Sequence, residues 1–159
     1  MKEIKFQSKN TQAWFSKLQS SGYRLTGPRR AIVEIMINTN HALAPVDVYD
    51  IGRKEYTGLG LVTVYRTLER LEEMRLVQRV HRPMGCNMFL RASEGHQHIL
   101  LCKVCGRAEY FSGDDLTGLI ETIAGRSGFV IKEHLLQFYG ICPKCLEKRG
   151  DNNNETGNS

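Results

Sequence analysis

No run of apolar residues in this chain approaches the roughly 18 that a membrane span requires. Its opening residues, Met1-Lys2-Glu3-Ile4-Lys5, are charged and lack the apolar core of an export signal. The cytoplasm is therefore the expected compartment. No internal repeat occurs. Neither a His-Glu-x-x-His helix nor a deaminase His-x-Glu signature is present. A zinc hydrolase would need such a carboxylate base beside an open coordination position, so the enzyme reading has little support and the chain is expected not to be an enzyme. Residues 150–159 contain no apolar side chain, and a disordered tail is expected over 149–159.

What is present begins with two Cys-x-x-Cys pairs, Cys102-Lys103-Val104-Cys105 and Cys142-Pro143-Lys144-Cys145, with 36 residues between them. Two residues between thiolates let one loop place both sulfurs on the same soft cation. Two such knuckles together give a closed four-cysteine site, the geometry zinc prefers in a structural role. Two disulfides would need an oxidising compartment, to which nothing in the sequence points. A redox Cys-x-x-Cys normally opens a helix after a strand and needs no duplicate.

The net charge of +5 is unevenly spread. Residues 1–82 hold 14 Lys/Arg against 8 Asp/Glu, whereas residues 83–159 hold 8 against 9. The basic excess thus lies wholly in the half without the knuckles, which points to a polyanionic partner for that half.

That first half reads as helices. Trp14, Phe15 and Leu18 share one face over about residues 11–20, closed by Gly22. Pro28 is placed for the first turn of a second helix carrying Ile32, Ile35 and Met36. Pro45 opens a third, with Val48, Tyr49 and Ile51 inward. A fourth runs from about Val62, with Val64, Leu68 and Leu71 at i, i+4 and i+7. Leu76 to His81 and Cys86 to Arg91 read as strands around the turn Arg82-Pro83-Met84-Gly85. Helices followed by a hairpin make a winged helix-turn-helix. The second half is mixed: strands at Ile99 to Leu101 and Ala108 to Phe111, then a helix capped by Asp114 or Asp115 and ended by Gly125 and Gly128. That helix carries Leu116, Leu119, Ile120 and Ile123. Strands at Phe129 to Ile131 and Leu135 to Tyr139 follow. The fold class expected is α+β, with a winged helix over 1–91, hinged at its end, and a small α/β domain over 92–148.

The fourth helix opens with Thr63-Val64-Tyr65-Arg66-Thr67. In a helix-turn-helix the recognition helix offers its N-terminal residues to the major groove. Arg66 can bond guanine edges or phosphate, and Tyr65 can pack on a thymine methyl or bond phosphate. Thr63 suits a phosphate. Arg24, Arg29 and Arg30 are candidate backbone contacts, which position without specifying.

Taken together, Gly22-x-Arg24-x-Thr26-x-x-Arg29, Thr63-Val64-Tyr65-Arg66-Thr67-Leu68, His96-x-His98 ahead of Cys102-x-x-Cys105-Gly106, and Tyr139-Gly140-x-Cys142-x-x-Cys145 resemble the ferric uptake regulator (Fur) family of metal-dependent repressors. The resemblance spans Gly22 to Cys145. It implies a homodimer with an N-terminal winged helix, a C-terminal dimerisation domain holding structural zinc, and a sensory metal near the hinge. It also implies that metal binding swings the winged helices into register on operator double-stranded DNA.

Beyond the knuckles, the candidate sensory ligands are His41, His81, Cys86, His96, His98, Glu109, Asp114, Asp115 and His134. On a strand, residues i and i+2 point to one face, so His96 and His98 can converge on one cation. The resemblance marks His134 as a ligand of a second metal site. Leu90 stands where many members carry a carboxylate, and the His-x-His sits one residue earlier than in many of them. Cys86, His81 and His41 are candidate replacements. A thiolate with imidazoles prefers zinc to ferrous iron, so Zn2+ is the expected regulatory metal, with ferrous iron and then peroxide sensing as alternatives.

Overall fold

The computed structural model describes residues 8–81, 87–93, 97–112 and 116–154. The chain divides into two units: one runs to Ala92 and adds Cys105–Arg107, the other comprises Ser93–Val104 and the chain from Ala108.

The first unit is built from four helices and a hairpin. Helix α1, Ser8–Ser20, buries Phe15 and Leu18 and ends where Gly22 turns at φ +77°, a left-handed conformation that favours glycine. Helix α2, Gly27–Asn38, has Pro28 in its first turn and buries Ile32, Val33, Met36 and Ile37. Helix α3, Pro45–Gly52, is opened by the Asp47 carboxylate, which accepts the Ala44 backbone N–H at 2.8 Å. Val48 points into the core, but Ile51, expected inward, is 42% exposed. An eight-residue helix makes little more than two turns, and Val48 and Gly52 already occupy its inner face.

Helix α4, Leu61–Glu73, realises the expected stripe: Val64, Leu68 and Leu71 are all fully buried. Arg75, at φ +54°, terminates it and turns the chain into strand β1, Val77–Val80. Strand β2, Met88–Arg91, pairs antiparallel with β1, Val77 lying opposite Arg91 and Val80 opposite Met88. The outer edge of β2 is paired too, because Leu43 and Phe89 exchange backbone bonds of 2.9 and 2.8 Å. The turn expected at Arg82 to Gly85 lies outside the described residues, as does Cys86. This arrangement is a winged helix-turn-helix, with one core running through Phe15, Leu18, Ile32, Met36, Val48, Leu68, Leu71 and Phe89.

The second unit is a small sheet with helices. Strand β3, His98–Cys102, lies between β4, Ala108–Phe111, antiparallel to it, and β5, Gln137–Gly140, parallel to it. Helix α5, Thr117–Ser127, ends at Gly128 with φ +74°, while Gly125, expected to help end it, lies inside it. A glycine lowers helix propensity without forbidding the conformation, and only Gly128 occupies the left-handed cap. The capping residues expected at Asp114 or Asp115 lie outside the described residues. Phe129 to Ile131, expected as a strand, is not one: Phe129 and Val130 are 74% and 75% exposed. Strand propensity needs a neighbouring ladder to act on, and here none is paired with that segment. Helix α6, Pro143–Asn154, starts in the second knuckle and continues through much of the segment expected to be a disordered tail. Once its first turn is nucleated by the knuckle, each further residue adds one hydrogen bond for one residue fixed.

Candidate metal centre and nucleic-acid interface

The sheet and the two knuckle loops converge on sulfur. Cys102 ends β3, and Cys145 lies in the first turn of α6. The Sγ atoms of Cys102, Cys105, Cys142 and Cys145 all lie within 4.8 Å of one another. Cys102 and Cys145 are buried, Cys142 is half-buried and Cys105 is exposed. Backbone bonds fix the loops: Lys103 N–H donates to the Gly140 carbonyl at 2.9 Å, and Cys145 N–H to the Cys142 carbonyl at 2.9 Å. The Cys142 N–H points at Cys102 Sγ at 3.3 Å, the kind of donor that stabilises a thiolate. Gly106, at φ +75°, closes the first knuckle, and an added Cβ there would meet the Ala42 carbonyl oxygen at 3.0 Å.

This donor set fits zinc. A tetrahedral ion with bonds of about 2.3 Å holds its sulfurs about 3.8 Å apart, a contraction of no more than about 1 Å from the separations here. All four donors are soft and of one kind, which suits a closed site.

Among the described residues, the four cysteines are the one group of three or more ligand-bearing side chains gathered closely enough for a metal. The other candidates are placed as follows. His98 is 2% exposed at the start of β3, and its ring centroid lies 5.3 Å from that of His134 and 5.5 Å from that of Phe111. Of the candidate ligands, His134 is the one whose ring lies beside that of His98. His96 lies outside the described residues, and β3 begins only at His98, so the alternation argued from a strand is not observed for that pair. Glu109 is exposed on β4, opposite Leu100. His41 is half-buried beside Arg107 in a short backbone bridge, and His81 is exposed just after β1. Cys86, Asp114 and Asp115 are not described.

In the first unit, α4 turns two faces to different tasks. Val64, Thr67, Leu68 and Leu71 are buried, whereas Leu61, Val62, Tyr65, Arg66 and Glu69 are exposed. Tyr65 and Arg66 therefore stand outward from the second turn of the helix, and Thr63 is half-buried between the faces. The exposed apolar Leu61 and Val62 were not marked by sequence reasoning. Helical spacing alone could have found Val62, which shares a face with Tyr65 and Arg66 at i+3 and i+4.

The arginines before α4 are ordered by their neighbours. Arg29 stacks over the Tyr23 ring at 4.6 Å and donates from Nη1 to the Arg24 carbonyl at 2.8 Å. Arg30 lies over the Phe15 ring at 4.9 Å, and Arg24 is exposed. The wing is tied to α4 by a two-pronged ion pair: Arg79 Nε donates to Glu72 Oε1 at 3.0 Å and Nη2 to Oε2 at 2.6 Å. That bond to Glu72 holds the Arg79 guanidinium's pKa above its ordinary range.

Among the described residues no helix is long and apolar enough to cross a membrane.

The pattern of the ferric uptake regulator family matches residues 20–139. The chain is 36% identical over 136 residues to a ferric uptake regulation protein of Bacillus subtilis (strain 168), covering 83% of this chain and 91% of that one. The Vibrio cholerae ferric uptake regulator shares the fold at a TM-score of 0.62 and 28% identity, over 84% of this chain and all of that one. A zinc uptake regulator solved with zinc and DNA shares the fold at a TM-score of 0.66 and 20% identity, over 94% of this chain and 99% of that one. The chain belongs to the ferric uptake regulator family, whose members are metal-responsive transcriptional regulators and not enzymes.

Proposed function

We propose that this protein is a cytoplasmic homodimeric repressor that binds operator DNA through its first unit when zinc occupies a regulatory site. The observation that carries the DNA reading is the division of α4. Its buried face is locked into the core while Tyr65 and Arg66 project from its N-terminal half, where a recognition helix meets base edges. Thr63 and the arginines Arg24, Arg29 and Arg30 then contact the phosphate backbone, which fixes register. The winged helix over 1–91 is the DNA-binding domain, and 92–148 dimerises and holds metal. Exposed apolar side chains in the second unit support the dimer: Leu119, Ile123, Phe129, Val130, Leu135 and Phe138 are each 46% exposed or more.

Cys102, Cys105, Cys142 and Cys145 hold a structural zinc, which contributes binding energy to folding. The regulatory metal draws on His98 and His134, with His41, His81, Cys86, His96 and Glu109 as further candidates. A thiolate with imidazoles favours zinc. Ferrous iron is the second reading, favoured by the naming of the Bacillus subtilis relative as a ferric uptake regulation protein. An anisotropy titration separates them. The chain, loaded with structural zinc, is titrated with zinc, ferrous or manganous ion in the presence of duplex DNA that it has itself selected from a randomised pool. Activation at the lowest free concentration by zinc supports the first reading, and by ferrous ion the second. Full affinity under a chelator that spares the four-cysteine site would remove metal sensing altogether.

A further inference from the structure

Thr67 is a polar side chain with no solvent exposure on the inner face of α4. Its hydroxyl lies 2.7 Å from the Thr63 carbonyl and 3.1 Å from the Tyr23 hydroxyl. A threonine hydroxyl has one proton, and here it goes to the Thr63 carbonyl. The Tyr23 hydroxyl must therefore be the donor to Thr67 Oγ1. Tyr23 itself is fixed from behind, its backbone N–H donating to the Leu18 carbonyl at 3.0 Å. On its ring sits the Arg29 guanidinium, 4.6 Å from the centroid, which in turn holds the Arg24 carbonyl. One side chain thus joins two groups with different tasks. Its hydroxyl reaches the turn of α4 that carries Tyr65 and Arg66, and its ring seats an arginine in the first turn of α2.

We infer that Tyr23 is a positioning residue for DNA recognition: its hydroxyl sets the pose of α4 for base reading, and its ring seats Arg29 for the phosphate backbone. This rests on the proposed reading of α4 as the recognition helix. It goes beyond that reading by assigning specificity and backbone affinity to separable parts of a residue packed against the core behind α4. A tyrosine that only filled space would show no such separation.

Two substitutions divide the parts. Tyr23→Phe keeps the ring and removes the hydroxyl. Tyr23→Leu removes both the hydroxyl and the cation–π platform. Each is measured in the full-length, metal-loaded protein by anisotropy, on the duplex that the wild type selects from a randomised pool and on a scrambled duplex, across a salt series. Thermal melts are recorded alongside. For Tyr23→Phe, affinity for the selected duplex should fall about fivefold, within the range of one neutral hydrogen bond, with scrambled-duplex affinity and salt slope unchanged. For Tyr23→Leu, affinity for both duplexes should fall and the salt slope should drop by about one, as for a lost phosphate contact. The inference is overturned if Tyr23→Phe keeps the wild-type ratio of selected to scrambled affinity, or if both variants lose affinity for both duplexes in equal proportion. A wild type without sequence preference would overturn the recognition-helix reading itself and the inference with it, whereas Arg66→Ala losing preference while Tyr23→Phe keeps it would overturn the inference alone.

Discussion

Replacing Cys102 with Ser tests whether the second unit stands on metal or on its core. Cys102 is 3% exposed and sits at the end of the central strand β3. Serine is close in size, so packing changes little, but its hydroxyl does not supply the anionic sulfur that zinc prefers. The competing term is the apolar core, which is thin in this unit. Ile99 and Leu101 are its large buried aliphatic side chains among the described residues, and α5 contributes no buried residue. Each such side chain contributes about 1.5–3 kcal/mol on burial. A structural zinc site contributes on the order of 10–16 kcal/mol, comparable with the whole net stability of a domain. If the proposed zinc is bound, it outweighs that core and should decide whether this unit folds. Cys102→Ser should lose bound zinc by elemental analysis after dialysis and lose the cooperative melt of the second unit. By light scattering it should also lose the dimer. The first unit, with its own core, should keep a separate transition. Leu101→Ala is the control: it should cost about 2–5 kcal/mol and retain its zinc. A Cys102→Ser protein with a full zinc complement and a wild-type melt would refute the reasoning.

The exposed Arg66 and Tyr65 should behave oppositely: Arg66→Ala and Tyr65→Ala should leave the melt unchanged and cost about 1–3 kcal/mol of discrimination at the base pairs they touch, read by anisotropy on single-base variants. Arg24→Ala should weaken binding to all duplexes alike and reduce the salt slope by about one. His98→Ala together with His134→Ala should abolish metal-stimulated DNA binding while elemental analysis still finds the structural zinc. Burial, reinforced by the Glu55 carboxylate and partly offset by Arg30, holds the Glu34 carboxyl above its ordinary range. The folded state thus binds that proton more tightly than the unfolded one, and stability is lost as pH rises from the ordinary carboxylate range through the raised value. Glu34→Gln should melt higher than the wild type near neutral pH, with the difference closing in acid.

The helices were legible because their burial follows a local period. Val64, Leu68 and Leu71 are one face of a cylinder whatever they pack on, and Pro28 and Pro45 mark first turns by their fixed φ. The knuckles were legible because two residues between sulfurs is a local geometry. What escaped depends on partners distant in sequence. His98 and His134 are 36 positions apart and meet only when β3 and the segment before β5 align. Tyr23 and Thr67 are 44 apart, and no periodicity marks a buried threonine as an acceptor. The strand expected at Phe129 to Ile131 failed for the same reason in reverse: its side chains favour a ladder, but no neighbouring strand supplies one.

The energetic contrast between the units bears on which metal can act as a signal. A site whose binding energy rivals the stability of its own domain is filled whenever that domain is folded. Its occupancy cannot follow the free metal concentration, because the protein that lacks the ion is not a competent protein waiting for it. A signal must come from a weaker site whose loss leaves the fold intact and whose ligands are better arranged in the DNA-binding state than in the other. Shifting a population from about 1:99 to 99:1 needs a differential affinity of only about 5.5 kcal/mol, well below that of a structural zinc. On the structural-zinc reading proposed above, the four cysteines are thus too strong for the task. The pair of buried His98 and half-buried His134 has the opposite character: two imidazoles packed with Phe111 and Phe138 rather than tied into a knuckle, and joined by no third ligand among the described residues. On the proposed reading, a further donor that completes this pair couples metal to conformation, and it is that donor's chemistry, not the sulfurs, that would select the sensed ion.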